Sequence, residues 1–82
     1  MARESKKPHR PIYEIAKEIH NDWDNKYFGA VPYLEAMMSI VYIDEMYGMD
    51  TANSIVRYFL SNARTWKGET ARRIKKELNS MI

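Results

Sequence analysis

Four stretches of apolar residues at helical spacing, bounded by proline, glycine or aspartate, restrict this chain to helical folds. The first opens at Pro11, where a proline loses no intrahelical bond and brings its φ preset. Ile12, Ile15, Ala16, Ile19 and Trp23 follow on one side, opposite Glu14, Lys17, Glu18 and Asn21. This helix is expected to fray near Asp24-Asn25, and Tyr27 to Val31 reads as an ordered apolar connection, since an isolated strand would have no partner. Pro32 opens a second helix through Tyr33, Leu34, Met37, Met38, Ile40, Val41, Tyr42, Ile43 and Met46 to Tyr47, with Gly48 as its left-handed end. Apolar over most of its circumference, it is the helix expected at the centre. Asp50 is the expected N-cap of a third helix, whose stripe is Ala52, Ile55, Val56, Phe59, Leu60, Ala63 and Trp66. Beyond Gly68, a fourth runs from Glu69 to Ser80, with Ala71, Ile74, Leu78 and Met81 opposite Arg72, Arg73, Lys75 and Lys76.

With 82 residues and no cysteine, neither disulfides nor thiolate metal sites brace the fold, so one apolar core must hold it. The expected class is all-α, a compact bundle of three to four short helices over residues 11–82, preceded by a flexible basic arm at 1–10. Ile15, Ile19, Met37, Val41, Ile55, Phe59 and Ile74 are expected in its core. No apolar run is long enough for a membrane span and no hydrophobic segment backs the charged N-terminus, which predicts no membrane association and a cytoplasmic location.

The net charge of +2 conceals a strong division. Residues 1–10 carry +3, residues 11–50 carry −6 and residues 51–82 carry +5. Such separation can steer a charged partner or a second copy of the chain, and it also lets acidic and basic helices pack together.

Groups suited to catalytic chemistry are few in this sequence. His9 and His20 are the only imidazoles, and His20 with Asp24 is a weak beginning for a metal site. Asp44 and Glu45 point about 100° apart on a helix and cannot face each other across a substrate. Glu14, Glu18 and Asp22 form an acidic stripe at i,i+4 spacing, for which Lys17, Lys26 or the basic C-terminal half are the expected partners. Phosphate loops, nucleophile elbows and zincin patterns are missing from the sequence. No enzyme activity, metal or cofactor is expected.

Pro32-Tyr33-Leu34-Glu35-Ala36-Met37, then Asp44-Glu45-Met46-Tyr47-Gly48, then the run from Ile55-Val56-Arg57-Tyr58-Phe59-Leu60-Ser61-Asn62 through Ala63-Arg64-Thr65-Trp66-Lys67-Gly68-Glu69-Thr70-Ala71 resemble small helical proteins encoded by tailed bacteriophages and prophages. The resemblance covers roughly residues 11–82. That group is largely uncharacterised and supplies no catalytic residues. What it implies is a modifier of host processes or an accessory factor of DNA metabolism, acting inside the host cell.

Two candidate surfaces follow. Tyr27, Tyr42, Tyr47 and Tyr58, with Arg57 and Asn62, are candidates for a protein interface, because tyrosine buries a large area for few rotatable bonds and charge guides the encounter. Tyr58 is the leading anchor. Arg57, Arg64, Lys67, Arg72, Arg73, Lys75 and Lys76 are candidates for gripping nucleic-acid phosphates, although neither flanking helix shows a base-reading face. Protein–protein interaction with a host or phage partner is the leading functional expectation, nucleic-acid binding through the basic half is the alternative, and a homodimer fits the charge division.

Overall fold

In a computed structural model that describes residues 9–82, the expected stripes turn inward as four helices. The elements are α1 (Ile12–Asp22), a single 3₁₀ turn (Phe28–Ala30), α2 (Val31–Met37), strands β1 (Met46–Tyr47) and β2 (Asp50–Thr51), α3 (Ala52–Ser61) and α4 (Glu69–Asn79). Pro11 stands just ahead of α1, whose first donors are satisfied from far along the chain. The Ile12 amide donates to the Val41 carbonyl at 3.0 Å and the Tyr13 amide to the Ile40 carbonyl at 2.8 Å. α1 ends as the Trp23 amide closes on the Ile19 carbonyl.

The second helix is much shorter than its apolar run predicts. Pro32 does lie in its first turn, but α2 stops at Met37, and residues 40–45 leave the helix for an irregular path. Three local causes are visible. The carbonyls of Ile40 and Val41 are turned out to receive the donors of α1. Ile40, Val41 and Ile43 are β-branched and favour helix only weakly. The Glu45 carboxylate folds back to accept from the Val41 and Tyr42 amides, at 3.4 and 3.3 Å. Val41, expected in the core, is consequently only half-buried, whereas Ile40 is fully buried.

Met46–Tyr47 and Asp50–Thr51 then pair antiparallel, Met46 opposite Thr51 and Tyr47 opposite Asp50. Gly48 has φ +62° as expected, but it turns this two-residue hairpin loop rather than ending a helix. With Asp50 held in the hairpin, the N-cap of α3 falls one residue later: the Thr51 hydroxyl accepts from the Ser54 amide at 3.0 Å. α3 closes at Ser61, so Ala63 and Trp66 extend its buried stripe from the following turn. Gly68, at φ +114°, redirects the chain into α4.

α2 packs against both α1 and α3, so it keeps the expected central place despite its seven residues, while α4 rests mainly on α1. The core joins Ile12, Ile15, Ala16 and Ile19 of α1 to Leu34 and Met37, to Ile55, Val56 and Phe59, and to Ile74 and Leu78. No polar or charged side chain among the described residues is buried. Three aromatic rings tie the helix ends together: Trp23 stacks on Trp66 at 5.8 Å and 18°, and Phe59 meets both indoles edge-on at 6.2 and 6.4 Å.

These depths set different costs for truncation. Phe59→Ala should destabilise the domain by about 3–5 kcal/mol, the range for a fully buried aromatic. Val41→Ala, from a half-buried site, should cost about 1 kcal/mol or less. Urea unfolding of the two variants measures both, and equal losses would contradict the packing described.

Candidate interaction surface

α3 buries Ile55, Val56 and Phe59 and therefore turns Asn53, Arg57, Tyr58 and Ser61 outward. Tyr58 is half-exposed and its ring is backed by Tyr33, centroid to centroid 5.5 Å. Asn62 follows at the end of the helix, its side-chain amide donating to the Tyr58 carbonyl at 2.8 Å. Tyr27 reaches the same end because Gly29 lets it come close: a Cβ at position 29 would stand 2.6 Å from the Tyr27 ring and 2.9 Å from the Asn62 side-chain oxygen.

Three shallow depressions run together along this side. The first is lined by Asn53, Ser54, Arg57, Tyr58 and Ser61. The second shares Ser61 and adds Tyr27, Asn62, Arg64 and Thr65. The third shares Arg64 and continues through Trp66, Lys67, Gly68, Ala71, Arg72 and Lys75. Five cationic side chains and two tyrosines line the combined surface, and no carboxylate does. Within it, Arg57 Nε donates to the Asn53 side-chain oxygen Oδ1 at 2.8 Å. Lys75 donates to the Trp66 backbone carbonyl at 2.7 Å and lies over the Trp66 ring. Burial, and secondarily the charge of Lys67, hold the Lys75 ammonium below the usual lysine range.

The two sets of residues anticipated from sequence are thereby partly merged. Tyr27, Tyr58, Asn62 and Arg57 join Arg64, Lys67, Arg72 and Lys75 on one surface. Lys76 is exposed but lines none of the three depressions. Arg73 turns to Glu18, with which it forms an ion pair. Tyr47 lies in β1 of the hairpin and Tyr42 in the irregular segment before it; both are exposed, as are Met46 and Met49. Sequence reasoning missed Phe28, Met46 and Met49 as surface groups. Phe28 and Met49 lie on no helical stripe, which is the signal that could have marked them.

The arm expected over 1–10 lies outside the described residues for positions 1–8. Arg10 belongs with the folded chain: it forms two bonds to the Glu77 carboxylate, at 2.9 and 2.8 Å, and an ion pair with Glu18 at 3.1 Å. Within the acidic stripe, Glu18 thus takes Arg10 and Arg73 as partners, while Asp22 accepts from the Trp66 indole N–H at 2.8 Å. No group of three or more His, Asp or Glu side chains able to hold a metal occurs among the described residues. No helix of those residues is long and apolar enough to cross a membrane.

Arg73, and after it Arg10, hold the Glu18 carboxyl below the usual glutamate range. A depressed folded-state pKa stabilises the fold above the unfolded value of about 4.3 and is lost as pH falls through the folded value. Urea midpoints should therefore drop below about pH 4, and Glu18→Gln should flatten that part of the profile. An unchanged slope in the variant would remove Glu18 from the acid response. Comparison with known proteins gives no matching family model, curated protein or solved structure.

Proposed function

We propose that this chain is a non-enzymatic accessory protein that docks on an acidic surface of a partner protein and thereby modifies a host or phage process. The observation that carries this reading is the continuous surface with Tyr27 and Tyr58 among Arg57, Arg64, Lys67, Arg72 and Lys75 and no carboxylate in its lining. Tyrosine and arginine are the residues that most often carry binding energy at protein interfaces. Tyr58 comes to such a contact already backed by Tyr33, and Arg57 already oriented by Asn53, so little freedom is lost on docking. Between them, Ser54, Ser61, Asn62 and Thr65 offer short polar groups suited to a hydrogen-bonded rim. A surface of this sign also attracts phosphates, which keeps nucleic acid as the competing ligand.

Affinity capture from nuclease-treated bacterial lysate tests the proposal. The expected result is one acidic protein retained near equal stoichiometry, with retention falling about tenfold for Tyr58→Ala, the effect of losing roughly 1.4 kcal/mol. Arg64→Ser with Arg72→Ser should weaken retention further, and added salt should mimic that change. The nucleic-acid reading would take its place if retention vanished with nuclease while single-stranded or duplex DNA bound at about 50 mM salt and lost affinity in the arginine double variant.

A further inference from the structure

We infer that the β1–β2 hairpin of one copy docks on the basic, tyrosine-bearing surface of a second copy; this rests on the reading of that surface as a seat for acidic partners. The hairpin exposes Met46, Tyr47 and Met49 at 61%, 43% and 96%, and Tyr42, in the irregular segment that leads into it, is 66% exposed. Asp44 and Asp50 are exposed beside them, and no ion pair among the described residues involves either. An apolar knob ringed by negative charge calls for an occupant that is basic and partly aromatic.

Symmetry decides between the ways a second copy could supply one. Hairpin against hairpin would bring the Asp44 and Asp50 side chains of both copies together, a like-charge contact that opposes association. The basic surface has the opposite sign and presents Tyr27 and Tyr58 to the methionines and tyrosines of the hairpin. No ion pair among the described residues joins the hairpin to the basic surface within one chain, so both faces are left to meet a second copy. Four apolar side chains make a small patch beside the roughly 800 Å² per partner of stable complexes, so the association is weak and depends on concentration.

Sedimentation equilibrium of the purified full chain tests this together with two variants. One removes the hairpin patch (Asp44→Asn, Tyr47→Ser and Met49→Ser), and the other removes basic charge (Arg64→Ser and Arg72→Ser). Circular dichroism confirms that both keep their helices. The unsubstituted chain should rise above 9.7 kDa with concentration and fall back as salt is added, a readout that needs no variant. Each variant alone should stay at 9.7 kDa, and their equimolar mixture should stop at the mass of two chains, because only one hairpin and one basic surface remain to meet. A mass fixed at 9.7 kDa for the unsubstituted chain overturns the inference while leaving capture of a partner protein intact. Self-association of either variant at the original strength, or no association of the mixture, overturns the pairing of hairpin with basic surface.

Discussion

The arrangement depends first on Trp66. Its indole stacks on Trp23 at the end of α1, meets Phe59 of α3 edge-on and donates its N–H to Asp22, while its backbone carbonyl accepts from Lys75 of α4. One side chain in a turn thus gathers three helices, and it is buried with its single polar hydrogen satisfied. The same contacts shape the basic surface. Because Trp66 points inward, its neighbours Arg64, Thr65 and Lys67 must point out, and Gly68 bends the chain so that Arg72 and Lys75 line the same depression.

Charge divided along the sequence is used in two ways. Part of it is consumed internally: Arg10 and Arg73 converge on Glu18, and Arg10 also grips Glu77, clamping α1 to α4 with the chain that leads into them. The rest is left outside, positive along α3 and the turn into α4, negative around the hairpin. Surface ion pairs of the first kind contribute modestly to stability. Their larger effect is selective, since they withdraw Arg73 from the basic surface and leave Arg57, Arg64, Lys67 and Arg72 to define it.

α1 and α4 were legible from sequence within a residue or two, and so was the start of α3, because each carries a one-sided stripe and a marked boundary. The α3 stripe, however, runs on to Trp66, whereas the helix stops at Ser61 and Ala63 and Trp66 continue it from a turn. The region after Met37 was not legible, and the reason is specific. An apolar run that fits a helix on every side gives no directional signal, so the competing claims on it cannot be seen locally. Those claims come from Ile12 and Tyr13, almost thirty positions earlier, whose amides need the carbonyls of Ile40 and Val41. Of the candidate surface, the residue types were legible but their grouping was not. Tyr58 and Asn62 stood out as helix neighbours. That Tyr27 joins them depends on the close approach at Gly29, and that Tyr42 and Tyr47 part from them depends on a hairpin where a helix was expected.

The borrowed carbonyls at the start of α1 also bear on how the chain reaches its native state. The first helix is completed only by residues 40–41, and its far end finds its aromatic partners only at Phe59 and Trp66. During synthesis, the N-terminal half therefore waits for the C-terminal third before its apolar face is covered, and in that interval it is open to chaperones and to unwanted pairing. The contacts that complete the core are thus distant in sequence, and the loop-closure entropy of bringing them together falls on the folding of the whole chain.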